Sequence, residues 1–282
     1  MARSRGCSDV QPALHLAGTY RREVRASLAR IWENVFDWEH LAHLHSTSFA
    51  RCSLIARGDW GWRAQLRLAG RGAQDDSVIE LVADQPAGRY VTTTLEGQGT
   101  GTQICVTLAE RGAHDVSVEV EFYVPEADAT RLALIGSAYE SVYAQLWDED
   151  EAMMQAREAA LARSTGPVIP GQRLDLGDEP AVRAALPVIF EMAGRSFRLV
   201  AVEGRLVAHS TVCPHWLGPL DAGTLVDGVI TCPWHGYRFD IASRRCLDAP
   251  GLKLAPAPAV IVENGRVIAV WQQRKSPPPI SG

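Results

Sequence analysis

The residues best equipped for chemistry are Cys213-Pro-His215 and, after sixteen intervening residues, Cys232-Pro-Trp-His235-Gly236. Thiolate sulfur is a soft, charge-donating ligand and imidazole a neutral one. Two Cys-plus-His clusters punctuated by Pro and Gly are what two short loops need to grip one metal centre from opposite sides. Two of each ligand can hold a 2Fe-2S cluster, with one iron on Cys213 and Cys232 and the other on His215 and His235. The same four donors also suit tetrahedral zinc. Zinc sites more often pair Cys with Cys and His with His along the chain, which favours iron and sulfur.

A second group lies far upstream. Residues 33–45 read Glu-Asn-Val-Phe-Asp37-Trp-Glu-His40-Leu-Ala-His43-Leu-His45, placing three of the eight His within six residues. Read as a helix, this stretch does not stack His40 over His45, so both can face one metal only where the helix loosens near Leu44. The plain alternative is an amphipathic helix with its His turned to solvent. Two His and one carboxylate on one face would leave open positions where iron can bind O2.

The carboxylate can come from a later helix. Residues 126–163 contain no Pro and a single Gly, Gly136, while Ile135, Tyr139, Val142, Leu146 and Met153 recur at helical spacing. On that helix Asp150 falls four residues after Leu146, between Tyr143 and Met154 on the same side. Asp148 and Glu151 point away, and Glu149 lies near the edge of the stripe. An acid amid an apolar face must be paired, protonated or bound to metal. A solvated acidic face accounts for Asp148 and Glu151 but not for Asp150.

These groups need a frame to hold them. A strand is predicted over 15–24, a helix capped by Ser27, and alternating runs at 49–57, 60–69, 77–83, 89–96, 102–110 and 115–124, which read as an antiparallel meander. A curved sheet crossed by a long closing helix makes an α+β layer around a cavity, for which Trp60, Trp62, Tyr90, Tyr143, Trp147 and Met154 are candidate lining residues. The stretch 164–171 has linker composition, and short strands dominate from about residue 172 to a Pro-rich tail at 276–280. Two domains are expected, 1–165 and 166–282. With 282 residues, 46% of them hydrophobic, there is enough chain for both cores.

The net charge of −5 offers nothing to nucleic acid or an anionic membrane. Residues 1–12 read as a loose tail: Arg3 and Arg5 have no apolar run behind them, and no stretch is apolar enough for a span, so a cytoplasmic protein is expected. Six Cys in a chain this long suit a reducing compartment, with Cys7, Cys52, Cys105 and Cys246 as ordinary thiols. No dinucleotide fingerprint is present, so electrons must be delivered.

The segment CPHWLGPLDAGTLVDGVITCPWHGYRFD, with the later CLDAPG (Cys246 to Gly251), resembles Rieske proteins. High-potential relatives carry an extra Cys in each loop and a hydroxyl residue after the second His-Gly. Leu217, Gly218, Trp234 and Tyr237 stand in that neighbourhood here, which implies a potential near the low end, about −150 mV.

ENVFDWEHLAHLH and WDEDEAMMQAREAAL in turn resemble the iron-binding segments of Rieske non-haem iron oxygenases, and the first part of the chain is similar to the helix-grip (START/SRPBCC-like) fold. The resemblance implies mononuclear Fe(II) on His40, His45 and Asp150. It makes Asp37 the acid that links this iron to a Rieske His of a neighbouring subunit. It gives His43 no role, although that side chain could replace His45 as ligand. It implies an NAD(P)H-dependent reductase or ferredoxin as donor, a trimeric assembly, and O2-dependent hydroxylation or oxidative demethylation of a small apolar or aromatic substrate. The domain order is reversed relative to that family. The other reading is a Rieske electron carrier fused to a ligand-binding helix-grip domain without iron of its own.

Overall fold

The computed structural model describes residues 13–272. The tail over 1–12 with Arg3, Arg5 and Cys7, and the Pro-rich stretch 276–280, lie outside the described residues. The chain forms two compact units, Met1–Gln155 and Ala156–Gly282. The division falls inside the long helix rather than in the linker at 164–171. Among the described residues no helix is long and apolar enough to cross a membrane.

The first unit runs β1 (His15–Val24), α1 (Leu28–Phe36), β2 (Phe49–Gly58), β3 (Gly61–Leu68), β4 (Ser77–Asp84), β5 (Arg89–Glu96), β6 (Gln103–Gly112), β7 (Asp115–Val124) and α2 (Ala129–Ala162). Its strands make one antiparallel sheet in the order β1-β7-β6-β5-β4-β3-β2. Alternation turns Val116, Val118, Val120 and Phe122 of β7 inward, each fully buried. Trp147 and Met154 of α2 join them in one core with Ile31 and Val35 of α1. This is a helix-grip fold.

Gly136 shows how closely α2 meets the sheet edge. A Cβ there would sit 2.1 Å from the Ala17 carbonyl oxygen. Opposite it, β1 shifts register between Leu16 and Gly18.

Helix α1 starts where Ser27 Oγ accepts from the Arg30 N–H at 3.4 Å. It stops at Phe36, short of the His-rich stretch that sequence periodicity would continue as helix. Asp37 takes φ −90° and ψ 85°, and its Oδ1 accepts from the Glu39 N–H at 3.2 Å. That local bond offers the backbone an alternative to the next helical turn. Beyond it the chain runs in consecutive turns, closed by Leu44 N–H to His40 C=O and Phe49 N–H to His45 C=O, both 2.8 Å.

The second unit contains β8 (Arg173–Asp178), a six-residue helix α3 (Glu179–Ala184), β9 (Val188–Met192), β10 (Arg195–Val202), β11 (Arg205–Ser210), β12 (Thr224–Val226), β13 (Val229–Thr231), β14 (Arg238–Asp240), β15 (Ala259–Glu263) and β16 (Arg266–Val270). Three antiparallel three-stranded sheets, β11-β10-β9, β12-β13-β14 and β15-β16-β8, account for all nine strands. Phe190, Phe197, Leu199, Val267 and Trp271 fill a core between the first and third of these sheets.

Candidate metal centres

In the second unit the two Cys-plus-His clusters occupy the loops β11–β12 and β13–β14, and the loops share one conformation. Cys213 N–H donates to Gly218 C=O and Cys232 N–H to Tyr237 C=O, each five residues on and each 2.9 Å. Leu217 and Gly236, each four residues on, return their N–H to the same Cys carbonyls at 3.0 and 2.9 Å. Both have left-handed backbone, with φ of 63° and 68°. Glycine adopts that freely, whereas for Leu217 it costs about 1–2 kcal/mol.

Both sulfurs are buried, and the thiols hydrogen-bond to each other. The bond from Cys213 pulls Cys232 below the ordinary thiol value against its burial, helped by His235 and by the backbone N–H groups of Trp234 and His235. Cys213 is raised correspondingly. The His215 and His235 rings lie 4.6 Å apart, nearly perpendicular, with Tyr237 4.5 Å from His215. Gly218 leaves the second sulfur its room, since a Cβ there would come within 3.0 Å of Cys232 Sγ. Asp248, in the Pro-bearing segment at 246–251, accepts from the Arg238 N–H at 2.7 Å and from its guanidinium at 2.6 Å, which ties that segment to the second loop. Two soft sulfurs and two imidazoles on paired loops fit a 2Fe-2S cluster.

The first unit holds the other group. His40 Nε2 and His45 Nε2 lie 3.5 and 3.1 Å from Asp150 Oδ1, and one donor atom from each residue falls within 4.8 Å of the other two. The turns after α1 supply both His, and α2 supplies the acid. Each imidazole has a carboxylate behind it. His45 Nδ1 is 2.5 Å from Glu149 Oε2, and His40 Nδ1 is 3.3 Å from Asp37 Oδ2, though at an angle that makes no hydrogen bond. The Asn34 amide donates to Asp150 Oδ1 at 2.8 Å.

Burial pushes Asp150 toward protonation, yet the His45 hydrogen bond, the imidazole charges and Asn34 hold it below the ordinary carboxylate range. His45 moves the other way: burial lowers it, but Asp150 and Glu149 outweigh that and raise it. Three carboxylates around two imidazoles leave an excess of negative charge in a largely dry site. A proton can offset part of it, and a divalent cation would take that proton's place. Two His and one carboxylate form the donor set of a non-haem iron site with open positions.

Of the other residues considered, His43 is exposed. Asp148 is exposed and pairs with Arg22 at 2.5 Å, as a solvated acid should. Glu151 does not follow that pattern, because its side chain is only 6% exposed and is held by Arg22 and by the Arg25 N–H and guanidinium. Trp62, Tyr90, Tyr143 and Trp147 line a cavity of about 120 Å³ at the three donors. Trp60 is exposed and Met154 is core. Asn34 was not singled out by the sequence; for Glu149 the signal was its place near the edge of the apolar stripe, beside Asp150.

Paired sulfur-and-imidazole loops on a small β unit define an iron-sulfur binding domain. Residues 173–261 match the family model for the Rieske 2Fe-2S domain, and through this segment the chain belongs to that family. Protein TIC 55 of Arabidopsis thaliana, described as chloroplastic, is 33% identical over 84 residues, which are 27% of this chain and 15% of that protein. The oxygenase component of dicamba O-demethylase from Stenotrophomonas maltophilia is 35% identical over 75 residues, 24% of this chain and 22% of the relative. The ferredoxin component of the naphthalene 1,2-dioxygenase system of Pseudomonas putida is 33% identical over 75 residues, 27% of this chain and 72% of the ferredoxin. The chain thus spans less than a quarter of the first two relatives and most of the third.

Proposed function

We propose that this chain is a Rieske-type oxygenase whose two metal centres are built in the reverse of the usual domain order. Cys213 and Cys232 hold one iron of the 2Fe-2S cluster, and His215 and His235 hold the other. His40, His45 and Asp150 hold a mononuclear Fe(II), and the convergence of their three donor atoms carries this reading. Iron on such a donor set supplies the activation of O2. The chain's own residues do the rest. Glu149 fixes the His45 ring, Asn34 holds Asp150, and Asp37 behind His40 is the group we assign to electron entry. An NAD(P)H-dependent reductase or a ferredoxin supplies the electrons, the assembly is a trimer, and the reaction is monooxygenation of a small apolar substrate, as hydroxylation or oxidative demethylation.

The ferredoxin relative supports a second reading, a Rieske carrier fused to a ligand-binding helix-grip unit. Iron content separates the two. An oxygenase contains three irons per chain, and Asp150→Ala lowers this to two, abolishes turnover and leaves cluster absorption intact. A fully reconstituted protein with two irons, unchanged by Asp150→Ala, is a carrier.

A further inference from the structure

Beside the three-donor site, between α2 and strands β2 to β6, lies a second and larger cavity of about 410 Å³. That is within the range of about 300–1,000 Å³ for small-molecule sites. Six side chains, Phe49, Leu66, Ile79, Thr92, Tyr143 and Leu146, line both spaces, so the chamber abuts the site directly. Its direction can be read from the elements that wall it. Moving away from the site, the lining passes from Leu66 to Leu68 on β3, from Ile79 to Ser77 on β4, and from Thr92 to Thr94 on β5. On α2 it passes from Leu146 to Ile135, eleven residues or about 16 Å of helix.

The ends of this chamber differ in chemistry. Ser77, Thr94 and Gln98 line this chamber but not the space at the three donors, and a Cβ on Gly97, next to Gln98, would fall 2.6 Å from Ser77 Oγ. Leu68 and Val142, 48% and 41% exposed, mark the mouth. Among the described residues lining it there is no Asp, Glu, Lys, Arg or His. A carboxylate or ammonium lodged there would lose its hydration with no counter-charge to replace it.

We infer that the chamber takes an uncharged, elongated, largely hydrocarbon molecule with one hydroxyl or carbonyl end. That end rests at Ser77, Thr94 and Gln98, and the hydrocarbon end points at His40, His45 and Asp150. This rests on the oxygenase reading for one element only, that the end oxidised is the one remote from the polar group.

Two dyes with one ring scaffold test the charge rule on the full-length protein: neutral N-phenyl-1-naphthylamine and its sulfonated, anionic analogue 8-anilino-1-naphthalenesulfonate. The neutral dye is expected to bind saturably and the anion more than about tenfold more weakly. Ala138→Trp and Val142→Trp fill the chamber and its mouth, and each should abolish binding of the neutral dye while circular dichroism and cluster absorption stay native. Displacement by 1-decanol should weaken about fivefold in the Thr94→Val, Gln98→Leu double variant, with dye affinity unchanged. Equal affinity for the two dyes, or undiminished dye binding in both natively folded Trp variants, overturns the assignment. Unchanged decanol displacement overturns the orientation. Dye binding by Asp150→Ala with its iron content unchanged removes the iron reading and leaves the ligand class standing.

Discussion

Glu149 offers the sharpest quantitative test of the three-donor site. Its Oε2 is 2.5 Å from His45 Nδ1, while its Oε1 accepts from Gln145 at 3.1 Å. A carboxylate behind a ligating imidazole fixes the ring and raises its basicity, and losing it costs about 10–100-fold in metal affinity. Glu149 is 27% exposed on its side chain, so water screens part of its charge. The two variants therefore divide the effect. Glu149→Gln keeps an acceptor for the Nδ1 proton but no charge and should weaken Fe(II) binding about tenfold, or about 1.4 kcal/mol. Glu149→Ala loses both and should approach about a hundredfold. Anaerobic Fe(II) titration against a competing chelator measures this, with cluster absorption as an internal control. Native affinity in Glu149→Ala, or equal losses in the two variants, would refute the division into orientation and charge.

Asp37→Asn should keep the mononuclear iron yet slow reoxidation of the reduced cluster in single-turnover mixing with O2 and substrate; a normal rate removes Asp37 from electron entry. Gly136→Ala drives a methyl group into the Ala17 carbonyl and should destabilise the first unit by about 1–3 kcal/mol in urea denaturation. Asp76, hydrogen-bonded to Arg67 at 2.6 and 3.0 Å, is held below the ordinary carboxylate value of 3.8 by that guanidinium. A depressed folded pKa stabilises fully above 3.8 and ever less as pH falls below it. The gap in denaturation midpoint between wild type and Asp76→Asn should therefore be present at neutral pH and close in acid, whereas a gap independent of pH would mean that the pairing contributes nothing.

Much of the first unit was legible because its signals are local. The seven strands follow alternation broken by Gly, Asp and Pro, and Ser27 and the Gly-poor run after residue 126 mark the two helices. What escaped was decided by side chains that reach across the fold or compete with the backbone. Helical periodicity could not show that Asp37 would bond the Glu39 N–H and end α1 before His40. Glu149 and Asp150 point about 100° apart on α2. Both nevertheless meet His45, because an imidazole presents a nitrogen on each edge. Glu151 looked solvated because Arg22 and Arg25, which bury it, stand 129 and 126 residues away. The sulfur-and-imidazole loops were readable throughout, since spacing and turn residues there sit within single short segments.

His45 and Asp150 stand 105 residues apart. An ion seated between them would act as a clasp across most of the first unit, fastening the turns after α1 to the closing helix. A covalent cross-link over a loop of about 100 residues is worth about 4.7 kcal/mol of chain entropy, which sets the scale for a clasp that holds only in the folded chain. Iron supply would then govern not only turnover but also how long the polypeptide survives proteolysis in a starved cell.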